Sequence, residues 1–428
     1  MGNLLVLLFV SFLLLILVGI DVGWSMILSA WFGIEMKTNQ TVDTILIPQS
    51  MMGGVNYYAL VQIPLFILAG ELMNRGGLTQ RLIDWALTLV GHLRGSLGHV
   101  SVLTNLVMAG VSGSAVADAV AIGKPLIPAM KKESYSGGYA GAVIAAGALL
   151  GPIIPPSIPM VVYAQIANES VAKMFIAGIV PGLMLAAGFF VICSLIAWKR
   201  GYPRMPRVNF AGKVKATSNA SWALLMPVII IVGIRFGVFT ETEVAAVAVV
   251  YALIVSLLIY RGMSLREIPR MLWDSGRTSA TILFLLAAAG PFSWLVAESQ
   301  VSEVAVKMIQ HISDNPVVVL IVINVFLLIV GSLIEPLPAM VIFLPALLPI
   351  GHQLGIDPIQ FGTVVVVNLM IGLLHPPVGL LLFVTSSVGN LRILSVAWEA
   401  LPFLLWCLIV LALIIVFPPL TTWLPSRM

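Results

Sequence analysis

Apolar positions in this chain come in long unbroken runs rather than in strand-like alternation. Leu4–Ile20, Phe175–Trp198, Trp222–Phe239, Val244–Tyr260 and Leu401–Phe417 carry at most one charge each. At 1.5 Å per residue, runs of this length form helices that cross a hydrocarbon core about 30 Å thick. Two further stretches are just as apolar but interrupted. "GVSGSAV" (110–116) places glycines and serines, and "GPIIPPSIP" (151–159) a glycine and four prolines, where a plain span would have helix formers. Proline has no N–H to donate and clashes with the preceding turn, so these stretches predict breaks inside the membrane.

Basic residues fix the direction of each run. They cluster at Arg75, Arg81 and Arg94, at Lys131 and Lys132, between Lys199 and Lys215, and between Arg261 and Arg277. The positive-inside rule makes these clusters cytoplasmic. Phe175–Trp198 then enters the Lys199–Lys215 loop from outside, and Tyr139–Ala164 runs the other way. The segment from Gly98 to Met130 starts and ends on the cytoplasmic side, so it is expected to be a re-entrant hairpin with its tip at "GVSGSAV". Irregular backbone at that depth is tolerated only inside protein or against a water-filled cavity.

The second half repeats the first at a constant offset of 221 residues: Gly110 with Gly331, Pro128 with Pro349, Gly141 with Gly362, Gly151 with Gly372, Pro155–Pro156 with Pro376–Pro377, and Pro181 with Pro402. Thr278–Val296 is expected to exit the membrane, and the acidic loop with Glu298, Glu303 and Asp314 to lie outside. A second hairpin, Pro316 to Gly351 with its tip at "GSLIEPLP", therefore opens from outside, which makes the halves inverted. The expected fold is an all-α polytopic membrane protein of two inverted repeats, each with a re-entrant hairpin and a broken transmembrane helix. Paired interruptions of this kind point to a secondary transporter's binding site near the midplane. There, freed carbonyls suit a hard cation such as Na⁺ and freed N–H groups suit an anion.

Composition narrows the class. The chain is 60% hydrophobic and 9% charged, with a mean hydropathy of +1.08, far from a soluble globular protein. The net charge of +4 is accounted for by the cytoplasmic clusters, and nucleic-acid binding is not needed to explain it. The first run lacks a preceding basic residue and a following small-residue cleavage pattern, so it is expected to be a span rather than a signal peptide. Cys193 and Cys407 lie inside apolar runs and read as small fillers. Histidines 92, 99, 311, 352 and 375 are scattered, with no metal-ligating pair, and no catalytic constellation or P-loop occurs.

Each candidate residue has a functional and a structural reading. Ser112, Gly113 and Ser114 at the first tip would coordinate a cation or face substrate, or would only cap the turn. Asp118, one turn on, is an intramembrane carboxylate and a functional candidate by default, although it also complements a helix N-terminus. In the second tip, Gly331 and Ser332 precede Glu335, which stands where the first half has Ser114. Pro336 follows as the first residue of a new half-helix. Gly151 and Pro155, with Gly372 and Pro376, would shape two related cation sites through backbone, or merely kink the helices. His375, whose first-half counterpart is Ile154, would contact a carboxylate or satisfy a nearby carbonyl. Polar liners beyond the breaks are Tyr163, Gln165 and Asn168, then Thr385, Ser386 and Ser387. Arg235 reads as snorkelling to the interface. "LTQRLIDWALTLVGHLRG" reads as an amphipathic interfacial helix.

"AGVSGSAVADAVAIGKPLIPAM", "GPIIPPSIPMVVYAQIANES", "IPLFILAGELMNRGGLTQRLIDWALTLVGHLRG" and "MFIAGIVPGLML" closely resemble the large membrane subunit of tripartite ATP-independent periplasmic (TRAP) transporters. The resemblance covers essentially the whole chain and is densest over 60–185. It implies an elevator-type fold in the cytoplasmic (inner) membrane of a bacterium or archaeon, importing an organic acid by Na⁺ symport. It also implies two partners, a periplasmic substrate-binding protein and a small membrane subunit, the latter expected to be a separate polypeptide. Residues 98–165 and 316–387 would form the mobile transport domain. Residues 1–97, with an arm helix, 166–315 and 388–428 would form a fixed scaffold. Ser114, Asp118, Asn168, His375 and Thr385 would face a carboxylate substrate. Ser112, Gly113, Gly151, Pro155, Gly331, Ser332, Glu335, Gly372 and Pro376 would hold Na⁺. A stand-alone Na⁺/dicarboxylate symporter is the alternative.

Overall fold

The structure is a computed structural model that describes residues 2–38, 45–298, 315–376 and 378–428. Pro377, His311, Glu303 and Asp314, singled out above, lie outside the described residues. Among the described residues there are helices and no strands. In chain order the first are α1 (Gly2–Leu17), α2 (Val22–Thr38), α3 (Leu46–Val55), α4 (Gln62–Arg75), α5 (Leu78–Val90), α6 (Ser96–Ser112), α7 (Ala115–Lys132), α8 (Gly137–Ala148) and α9 (Ile158–Ala167). Then come α10 (Val171–Arg200), α11 (Phe210–Arg235), α12 (Glu241–Ile254) and α13 (Ile268–Glu298). The last six are α14 (Pro316–Leu333), α15 (Pro336–Gln353), α16 (Pro358–Gly372), α17 (Leu380–Gly389), α18 (Ile393–Val416) and α19 (Pro419–Thr422).

Seven helical segments among the described residues are long and apolar enough to cross a membrane, and α3 with Tyr58–Arg75 makes a further pair bent by 65°. At both expected tips one helix ends and the next begins within three residues, although α14 and α15 are each among the seven segments long enough to cross. α6 ends at Gly113 in the left-handed region, φ +61°, and Ser114 caps α7 by accepting from the Ala117 N–H. α14 ends at Leu333, and Pro336 opens α15. The helix bounds keep the sequence register: Ser112 and Leu333, Ala115 and Pro336, Lys132 and Gln353, and Gly137 and Pro358 each stand 221 residues apart.

The breaks lie between α8 and α9 and between α16 and α17. Their flanking helices form the most enclosed part of the molecule, with every residue of α8 from Gly138 and of α16 from Ile359 buried. Burial on all sides explains the absence of any apolar stripe in these two helices. At one end of the molecule α7 and the start of α8 meet the end of α17 and the residues after it: Lys131 Nζ of α7 donates to Gly389 O at 2.7 Å, and a Cβ on Gly141 of α8 would touch Leu391 and, in α18, Val396. At the other end α9 meets the start of α16, where Tyr163 Oη donates to Pro358 O at 2.7 Å.

Two boundaries differ from the sequence expectation. α13 begins at Ile268 rather than near Thr278, so Arg270, Asp274 and Arg277 are helical. α11 begins at Phe210, so Lys213 and Lys215 belong to its first turns. In both cases charge was taken as loop, although Lys and Arg are good helix formers. The amphipathic helix α5 has protein on its apolar face. It packs between α6 and α11 and buries Leu78, Leu82, Ile83 and Ala86.

Candidate transport site

A cavity of about 1070 Å³ opens between the two hairpin tips. Ser112, Gly113 and Ser114 face it from the first tip, and Glu335, Pro336 and Leu337 from the second. Its walls are helical stripes: Ala117, Val120, Ala121 and Lys124 of α7; Gly70, Glu71, Asn74 and Arg75 of α4; Asp274, Arg277, Thr278, Thr281 and Leu285 of α13. These spacings of three and four residues put one face of each helix on the cavity. Glycine lets α4 approach the tip: a Cβ on Gly70 would lie 3.1 Å from Ser112 Cα. Arg75 is neutralised on that wall, with Nε on Glu71 at 2.5 Å and Nη2 on Asp274 at 2.9 Å. Lys124 and Arg277 have no ion pair among the described residues. The cavity is therefore mainly apolar along α7, polar along α4, α13 and the tips, and cationic where Lys124 and Arg277 stand.

Behind the first tip lies a different environment. Asp118 is fully buried, and its Oδ1 accepts from Ser112 Oγ at 2.5 Å. Its Oδ2 has no partner and points at the first break, where a Cβ on Gly151 would lie 2.7 Å from it. A Cβ on Gly113 would lie 2.6 Å from Pro156 O, so tip and break are in backbone contact. Carboxylate, hydroxyl and carbonyl oxygens thus converge here, the ligand set of a hard cation. No cluster of three His, Cys, Asp or Glu occurs among the described residues.

The second tip is built alike but not identically. A Cβ on Gly372 would strike the Gly331 backbone, so hairpin and break again meet through glycines. Ser332 Oγ donates to Ile329 O at 2.8 Å, and Glu335 sits at the N-cap without a capping bond. His375 and Pro376 lie in the second break, with His375 Nδ1 unpartnered. Four of the five substrate candidates are not brought to the cavity, Asp118 among them because it is buried behind the first tip. Asn168 caps the far end of α9 in the left-handed region, φ +54°. Thr385 is buried within α17 and donates to Leu381 O. His375 is absent from the cavity wall. Pro155 lies in the first break beside the tip.

Glu71, Asn74, Lys124, Asp274, Thr278 and Thr281 were not singled out from sequence, and Arg75 and Arg277 served only as markers of sidedness. The readable signal was the spacing of Asp274, Arg277, Thr278 and Thr281, which is one helix face.

A family model described as "Tripartite ATP-independent periplasmic transporter, DctM component" matches residues 9–420. The chain belongs to this family. It is similar to the sialic acid TRAP transporter large permease protein SiaM of Vibrio cholerae, 39% identical over 412 residues and 96% of each chain. It is 40% identical to the C4-dicarboxylate TRAP transporter large permease protein DctM of Pseudomonas aeruginosa over 370 residues, 86% of this chain and 87% of that one. Among solved structures, the YdaH transporter of Alcanivorax borkumensis superposes with a TM-score of 0.65 at 15% identity, covering 89% of both chains. The chain is thus a multi-pass large permease subunit of the TRAP family, a transporter and not an enzyme.

Proposed function

We propose that this chain is the transport-forming subunit of a Na⁺-coupled importer of organic acids, fed by a periplasmic substrate-binding protein and assembled with a small membrane subunit in the cytoplasmic membrane. The observation that carries the reading is the buried Asp118 Oδ2, unpartnered against the Gly151 break directly behind the tip that lines the large cavity. An unmatched buried carboxylate oxygen costs roughly 1–3 kcal/mol or more, and Na⁺ would remove that cost. Ser112, the tip backbone and the break carbonyls would complete the shell. By the register of the halves, Gly331, Ser332, Glu335 and Gly372 would form the related second site. Cation binding would then order the tips, and substrate would sit between them with its carboxylate toward Ser114 and the N-terminus of α7.

The repeated helix bounds, and the meeting of each broken helix with the opposite end of the other, support two inverted repeats that move as one elevator body. The packing also supports assigning α10 and α18 to that body. Arg200 of α10 bonds Glu399 of α18 at 2.8 Å and Ser136, the cap of α8, at 3.3 Å. α1 to α5 and α11 to α13 would remain fixed. Since Arg75, Lys124 and Arg277 stand where the positive-inside rule puts the cytoplasm, the cavity corresponds to the inward-facing state.

The test is uptake of labelled organic acids, sialic acid and C4-dicarboxylates included, into liposomes holding this chain and its small subunit under an inward Na⁺ gradient. Uptake that requires both Na⁺ and the binding protein is expected. Uptake by this chain alone would select a stand-alone symporter, and Na⁺-independent uptake would overturn the coupling.

A further inference from the structure

A second cavity, of about 700 Å³, lies away from the transport cavity, where α5 meets the start of α11 and the residues just after α12. Arg81, Asp84 and Thr88 line it from α5, Asn219 and Trp222 from α11, and Tyr260 closes it. Arg81 lies over the Tyr260 ring, 3.9 Å from its centroid, with Nη1 on Gly77 O at 3.0 Å and Nη2 on Tyr260 O at 3.4 Å. A guanidinium has five N–H donors, so three remain. Asp84 Oδ1 accepts from Gln80 Nε2 at 2.9 Å. Residues three apart on a helix are neighbours, about 5–6 Å between Cβ atoms. Arg81 and Asp84 nevertheless form no ion pair among the described residues, and both face the cavity. One wall thus presents a positive and a negative charge side by side, each with unused capacity.

The depth of the cavity narrows the occupant. Trp222 begins the apolar stretch of α11, and Tyr260 ends the apolar run that starts in α12, just before Arg261. Aromatic residues at the ends of spans mark the headgroup level. Trp222 is 43% exposed, and Leu225 and Val228 continue outward from it along α11.

We propose that this cavity binds the headgroup of a zwitterionic phospholipid with a primary ammonium, of the phosphatidylethanolamine type. Its phosphate meets Arg81, its ammonium donates to Asp84, and its acyl chains leave past Trp222 along α11. An anionic headgroup leaves Asp84 without a cation. A choline headgroup has no N–H for Asp84 to accept. A lipid seated there braces the arm helix against α11.

The test is thermal unfolding of the purified full chain in detergent, with phosphatidylethanolamine, phosphatidylcholine or phosphatidylglycerol of identical acyl chains. The ethanolamine lipid should raise the melting temperature by a few degrees more than the other two. Asp84→Asn should erase its advantage over the choline lipid, and Arg81→Gln the response to both. Arg81 also holds Tyr260, so the exposed Asp84 supplies the decisive variant. Equal effects of the three lipids, or an unchanged preference in Asp84→Asn, would overturn the proposal. So would loss of the lipid response once the small membrane subunit is added, because the cavity would then be a protein interface.

Discussion

Asp118 accepts one hydrogen bond, from Ser112, and its other oxygen is sealed in the core facing a glycine. Asparagine keeps the shape and removes the charge. Asp118→Asn should therefore fold at least as well without Na⁺, lose the rise in melting temperature that Na⁺ gives the native chain, and cut Na⁺-driven uptake at least ~10-fold, about 1.4 kcal/mol of coupling. A variant that keeps the Na⁺-dependent rise would remove Asp118 from the cation site. Gly151→Ala tests the same contact from the other side. Its Cβ would stand 2.7 Å from Asp118 Oδ2, and overpacking of this kind costs about 1–3 kcal/mol, readable as a lower melting temperature. Asp118 was legible in the sequence because a charge inside an apolar run is conspicuous. Arg277 was not, because a cation near a predicted membrane boundary reads as sidedness until the facing helix is known, and Lys124 was passed over because nothing in the sequence shows which helices face it.

Glycine and proline carried most of what the sequence disclosed about elements. Gly113, Ser114 and Pro336 mark the tips, and the constant offset anticipates where each arm starts and stops. The chain was less readable where a helix continues through charge, as at the starts of α11 and α13, because hydropathy reports lipid contact and not helix. Packing between elements was hidden for a similar reason. The apolar residues of α5 were plain, but that α6 and α11 both cover it was not. Within the elements the glycines divide sharply. A Cβ on Gly372 would strike the Gly331 backbone, whereas one on Gly276 of α13 would meet nothing within 4 Å. Gly372→Ala should lower stability by about 1–3 kcal/mol or more, since backbone cannot yield as a side chain can. Gly276→Ala should raise it by up to ~1 kcal/mol through helix propensity. Thermal unfolding of the two variants side by side would check this, and equal effects would refute the close approach of hairpin and break.

For the whole molecule the question is which helices travel together. Sequence alone grouped the hairpins and broken helices as mobile and left α10 and α18 with the scaffold, since both read as ordinary spans. The proposed elevator body takes them in with the hairpins instead, on the ground that Arg200 and Glu399 tie α10 and α18 to the cap of α8. At the opposite end Ala172 N, in the first turn of α10, donates to Glu241 Oε1 of α12 at 3.1 Å, and Arg235 of α11 bonds Arg427 O at 2.8 Å. If α10 and the C-terminal residues packed on it move with the hairpins while α11 and α12 stay fixed, these two bonds must break in every transport cycle. They also involve partly exposed groups, each worth at most a few kcal/mol, so they can bias one state without locking it. Cysteines at 172 and 241, joined by a short bifunctional cross-linker, should then abolish uptake while leaving the fold and Na⁺-dependent stabilisation intact. Cleaving the linker should restore transport. Were the cross-linked protein to carry substrate at the native rate, α10 and α12 would belong to one rigid body, and the mobile unit would shrink to the hairpins and broken helices alone. Glu241→Gln offers the softer form of the same test. Losing the charge at the N-terminus of α10 weakens a helix-dipole contact by about 0.3–1 kcal/mol, which should populate the other state more and change the rate of uptake without changing its Na⁺ dependence.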